Sequence, residues 1–241
     1  MNRLTTHKNF VLNGDLGNWS GGVPTSFDID QTSTDVIQLQ REQQQDHFGA
    51  GAFNKAQTLT FAPDIPLVAN PLVRSGINAI RFHHTAAGSA GDWALRTLGI
   101  TAAHTTAPTA SAIAQRLPME PSMTSRFTWW SRGTPGALYT FNVILQRATS
   151  NVLYFQPVAP NHQPQAGNAG SWTTTANALT YALTPEWHQY SIEFQPAAFS
   201  TAVVDDQVMF EISNVNTAIH FADFDSIEYS LEDPVNSQGS V

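Results

Sequence analysis

Two pairs of carboxylates stand two residues apart, Asp28/Asp30 and Asp223/Asp225. On an extended segment that spacing places both members of a pair on one face. Paired carboxylates are the working parts of most glycosidases, one as acid and the other as base or nucleophile. Sequence does not fix the separation on which that chemistry depends. The eight histidines contain no H-E-x-x-H pattern, and His83 and His84 are adjacent, so on a strand they face opposite ways and cannot share an ion. No G-x-S-x-G elbow, G-x-x-x-x-G-K-[ST] loop or G-x-G-x-x-G loop occurs. The lack of cysteine excludes thiol catalysis, disulfides and Cys-ligated zinc. The expectation is a protein that is not an enzyme.

The aromatic residues offer a different chemistry. In residues 124–132 (TSRFTWWSR), Phe127 and Trp129 share one face of an extended segment, and Arg126, Trp130 and Arg132 share the other. With the first face in a core, Trp130 stands outward between two arginines. A flat ring beside hydrogen-bond donors suits the apolar face and polar rim of a sugar, and suits a protein interface equally. Cover by a loop or a second sheet is the other reading of Trp130. Trp93 and Trp172, in or beside loops, carry the same two readings. Trp130, Arg126, Arg132, Trp172 and Trp93 are therefore the candidate contact residues.

These side chains need elements to position them, and the prevailing period is two. Residues 139–147 (YTFNVILQR), 190–194 (YSIEF) and 208–212 (VMFEI) alternate apolar with polar. Further strand candidates are 10–12, 36–39, 58–61, 77–84, 124–132, 152–156, 178–183 and 219–231, with 38–45 as an edge strand running into a loop. The fold class expected from this pattern is all-β, a two-sheet antiparallel sandwich of about 8–10 strands with little helix. Residues 107–117 could hold a helical turn or two, and 99–112 and 157–177 read as long loops. One domain is expected over 1–232, followed by a polar tail at 233–241. In 219–231 (IHFADFDSIEYSL), Asp223 and Asp225 fall on the parity of Phe221, Ile227 and Tyr229. A buried carboxylate must be compensated. A bulge that turns the pair outward, hydrogen bonds to backbone, and a Ca²⁺ site are the three ways to do it.

Composition narrows the partners. Charged residues are 12% of 241, about half the ~25% of soluble proteins, and the net charge is −8. With 11 Lys+Arg, the clustered cations that phosphate neutralisation needs are missing, so no nucleic-acid partner is expected. No stretch approaches the ~18 apolar residues of a membrane span, so no membrane insertion is expected. The first ten residues (MNRLTTHKNF) have no apolar core of a secretory signal. Use inside a cell, or release by lysis, is the expectation.

Several segments, in order along the chain, resemble jelly-roll carbohydrate-binding modules and jelly-roll domains of bacteriophage tail-fibre and virion proteins. Asn13-Gly14-Asp15-Leu16 followed by Trp19 resembles their "NGDF…W" opening, and residues 19–27 (WSGGVPTSF) resemble its continuation. Residues 114–117 (AQRL), 128–133 (TWWSRG), 183–194 (LTPEWHQYSIEF) and 224–227 (FDSI) are similar to four further family segments. The resemblance implies a jelly roll. It further implies a virion structural protein (tail, fibre or capsid-decorating subunit) located on the phage particle, with other virion proteins as partners and contact with host surface glycans; the symmetry of particle surfaces adds the expectation of a homo-oligomer, with a trimer as the guess. A free carbohydrate-binding module or lectin is the alternative, and a glycan-degrading depolymerase the second. The binding modules often hold a structural Ca²⁺ with a carboxylate after the opening aromatic. Gly17 stands at that position here, leaving Asp225 and Asp15 as the carboxylates for such an ion.

Overall fold

Alternating segments become strands, and both faces of each are settled by what lies across the sheet. The computed structural model describes residues 9–20, 23–31, 37–43, 78–84, 86–97, 117–118, 123–147, 151–157, 170–174, 179–194, 207–215 and 218–232. Among them are fourteen strands and no helix. The strands are β1 (Trp19–Ser20), β2 (Val23–Pro24), β3 (Phe27–Gln31), β4 (Ile37–Gln43), β5 (Asn78–His84), β6 (Trp93–Thr97) and β7 (Thr124–Gly133). They continue with β8 (Leu138–Arg147), β9 (Asn151–Pro157), β10 (Gly170–Thr173), β11 (Leu179–Ala182), β12 (His188–Phe194), β13 (Gln207–Asn214) and β14 (His220–Glu232).

Two antiparallel sheets form the jelly-roll sandwich. A seven-stranded sheet runs β10-β9-β8-β13-β6-β3, and β11 also pairs with β8. One edge of β8 serves two partners, β11 at Leu138–Phe141 and β9 at Ile144–Arg147. The five-stranded sheet runs β12-β7-β14-β5-β4, so among the described residues the Gln-rich segment lies at an edge. Aromatic rings interlock between the sheets. Trp129 of β7 stacks on Phe141 of β8 at 3.9 Å between centroids, and Phe82 of β5 on Trp93 of β6 at 3.4 Å. Buried phenols find partners. Tyr190 donates to the Ala182 carbonyl at 2.8 Å, and Tyr229 to the Pro118 carbonyl at 2.7 Å.

Several expected elements differ. Residues 10–12 form a turn, because Asn9 seizes the backbone: its side-chain oxygen accepts from the Val11 and Tyr229 N–H groups, and its amide donates to the Ile227 carbonyl. β6 escapes the period-two reading because all five of its residues are buried, Arg96 through an ion pair to Glu211 at 2.6 Å. Within 157–177, Gly170–Thr173 is strand β10. Residues 58–61, most of 99–117 and the tail 233–241 lie outside the described residues.

The parity of β14 changes along its length. Ala222 and Phe224 belong to the core, as do Ile227 and Tyr229, with a register shift between Asp225 and Glu228 against β7. One extra residue flips the side chains. Ser226 takes the strain, at φ 49°. Asp223 and Asp225 therefore face away from the core, as the bulge alternative requires.

Candidate functional site

The outer face of the five-stranded sheet gathers most of the candidate side chains. In β7 the core takes Phe127, Trp129 and Ser131, so Arg126, Thr128, Trp130 and Arg132 point outward. Register brings Arg132 beside Asp223 of β14, and Asp223 beside Arg81 of β5. A cross-strand row results. Arg81 donates through Nε and Nη2 to the two Asp223 oxygens at 2.6 and 2.7 Å, and Arg132 Nε donates to Oδ2 at 2.8 Å. All three are 0–1% exposed. Burial alone pushes the Asp223 carboxyl up. Arg81 and Arg132 outweigh it and hold the group below the usual carboxylate range. Trp187, just before β12, lies over the Arg132 guanidinium at 4.9 Å, and Phe221 over that of Arg81 at 4.6 Å.

The next row along the sheet is Gln189, Trp130 and Asp225. Trp130 is half-buried and Gln189 exposed, while Asp225 is fully buried. Asp225 Oδ1 accepts from the Ser226 N–H at 2.6 Å, which holds the bulge. Four residues further along β7, Arg126 pairs with Glu193, Nε to Oε1 at 2.8 Å. The half-buried and exposed part of this face is thus an indole rimmed by an amide, the Thr128 hydroxyl and an ion pair.

Two of the five contact candidates are interior residues. Trp93 is 0% exposed in the core, stacked on Phe82, so it offers no contact surface. Arg132 is equally buried, held by Asp223 and covered by Trp187; its place is inside the face and not on it. Trp172 is half-buried on β10 of the other sheet, its ring edge-on to Phe155 and Phe194. Trp130 and Arg126 share the outer face. Sequence reasoning missed Trp187 and Gln189; their common parity leading into β12 was the signal available.

The second acidic pair, Asp28 and Asp30, lies on β3 in the seven-stranded sheet, Asp28 opposite Arg96. As for calcium, Asp15 is exposed in the opening turn, with Oδ1 receiving the Gly17 N–H at 3.2 Å. The turn and the bulge touch, since the Ile227 N–H donates to the Gly14 carbonyl at 2.8 Å. That bond and the one from Asn9 each take one lone pair of the Gly14 and Ile227 carbonyls, and among the described residues no three His, Asp or Glu side chains gather as a metal-holding group.

No family model matches the chain, and no curated protein matches it. Among solved structures, it is similar to the enzymatically active domain of bacteriophage CBA120 tailspike protein 4, with 13% identity, TM-score 0.45 and 92% of this chain covered. This chain spans 21% of that tailspike chain. TmCBM61, solved with β-1,4-galactotriose, is similar at 11% identity and TM-score 0.47, covering 93% of this chain and 99% of that one. The N-terminal cellulose-binding domain of Cellulomonas fimi β-1,4-glucanase C is similar at 12% identity and TM-score 0.35, covering 64% and 78%. The likeness is one of fold, at low identity, to a phage tailspike domain and to carbohydrate-binding modules.

Proposed function

We propose that the chain is a non-enzymatic structural subunit of a bacteriophage particle, present in several copies, whose five-stranded sheet meets a surface glycan through its outer face. The observation that carries this reading is the state of the acids on that face beside the half-buried Trp130. Asp223 is neutralised by two guanidiniums, and Asp225 is buried against its own bulge. A glycosidase acid must hold a proton near neutral pH, and Asp223 is held in the opposite direction. What remains on the face is a ring with polar neighbours, which suits binding. The neutral polar composition without cysteine supports a particle protein.

The test has two arms. Purified particles are analysed for the chain and its copy number, and the isolated chain is run through gels containing immobilised glycans as wild type and Trp130→Ala. The reading expects the chain in the particles and a retardation that Trp130→Ala loses. Glycan binding by a chain absent from particles would favour the second reading, a free carbohydrate-binding module, to which the same Trp130 face lends itself. Release of sugar from a retarding glycan would overturn the non-enzymatic assignment.

A further inference from the structure

One end of the sandwich holds two buried imidazoles that the binding face does not use. His84 ends β5 and His220 begins β14, and the two are direct cross-strand partners on the core side. Their rings stack at 4.3 Å with planes 21° apart, at 0% and 2% exposure. His220 Nδ1 lies 2.6 Å from the Ala218 carbonyl oxygen, which can only accept, so Nδ1 carries the hydrogen. In the neutral ring Nε2 then accepts, and its partner at 2.6 Å is the Tyr139 hydroxyl. Tyr139 belongs to β8 in the facing sheet, so this bond crosses the sandwich. Neither nitrogen of His84 has a hydrogen-bond partner among the described residues.

We propose that the His84–His220 stack is an acid-sensitive latch: neutral, it ties β14 to β8 across the core, and protonated, it loosens that end of the sandwich. A proton on His220 Nε2 turns the acceptor into a donor, so the Tyr139 hydroxyl must turn its own hydrogen away to accept it. A proton on His84 places a charge in the core, face to face with the second ring.

The surroundings do not soften this. Asp92, in the turn before β6, is the carboxylate that favours a charged His84, and burial and His220 outweigh it. His83, on the opposite face of the sheet, adds a smaller push in the same direction on His84, and Arg81 and Asp223, bound to each other, act there on His83 itself. On β4, Ile37 is the register partner of His84. Burial keeps the Tyr139 phenol protonated, with Tyr181 adding to the effect. Burial also lowers both imidazoles, His84 to about 4. The unfolded chain takes up these protons near 6.5 and the folded chain does not. The latch therefore contributes fully above 6.5, and its contribution drains away as pH falls from there toward 4.

Thermal unfolding of the full chain at about pH 7 and about pH 5 tests it, with wild type, His84→Phe and His188→Gln. His188 lies at the start of β12, away from the stack. Wild type and His188→Gln are expected to lose about 5 °C between the two conditions, and His84→Phe, which keeps a ring in the stack but binds no proton, less than half of that. Proton NMR of the wild-type imidazoles is the arm that needs no variant. The native His84 ring is expected to stay neutral at about pH 5.5, while in denaturant it titrates at the ordinary value. Equal losses in wild type and His84→Phe, or a native His84 ring that protonates at 6.5 or above, overturn the latch.

Discussion

At Asp223 two guanidiniums converge on one carboxylate in a place that water does not reach, and this geometry makes the group structural. Each charge is tolerable only because the others are there. Asp223→Ala is expected to cost about 3–5 kcal/mol of unfolding free energy in urea, because it strands two buried cations. Its pH signature follows from the lowered carboxyl. The stabilisation is complete above the ordinary carboxylate value and disappears as pH falls through the folded one, below the range where the His84 latch acts. Gly14 illustrates the opposite constraint, one of space. A Cβ there would stand 2.0 Å from the Ile227 carbonyl oxygen, so Gly14→Ala must push the opening turn off β14 and break the Ile227-to-Gly14 bond. A loss of about 2 kcal/mol or more is expected, read from the urea midpoint.

At the scale of elements, β14 decides the character of the outer face. Its first half pairs with both β5 and β7, and its second half would bury the wrong side chains without the bulge at Asp225. Ser226 pays with a left-handed backbone, relieved by the Asp225 carboxylate on its N–H. Ser226→Gly is expected to hold wild-type stability or gain up to about 1 kcal/mol, and Ser226→Val to lose about 1–2 kcal/mol. Denaturation midpoints of the two variants check this. A Val variant as stable as wild type would show that the bulge is not under local strain.

For the whole molecule, the two sheets share one aromatic core, and the exterior face is separable from it. Trp93 is wedged against Phe82, Tyr139 and Phe224 from both sheets. Trp93→Ala is expected to cost about 3–5 kcal/mol and to lower the melting temperature sharply. Trp130→Ala, on the outer face, is expected to cost about 1 kcal/mol or less while abolishing glycan retardation. Calorimetry paired with affinity gels separates the two effects. A large loss of stability in Trp130→Ala would make that residue part of the packing and remove the proposed contact.

Alternation of residue type was enough to predict strands at 124–132, 139–147, 190–194 and 208–212, since successive residues of a strand face opposite ways; it did not reveal that both faces of 208–212 are buried. The shared outward parity of Arg126, Trp130 and Arg132 was legible for the same reason. What alternation cannot carry is the identity of the neighbour across the sheet. Arg81 and Arg132 reach Asp223 from 142 and 91 residues away, and Tyr139 reaches His220 from 81. Whether an outward arginine is exposed or sealed in an ion row, whether a tryptophan before a strand is core, and where one residue is inserted in β14 are all settled by strand pairing. Those contacts exist only once the chain has closed on itself.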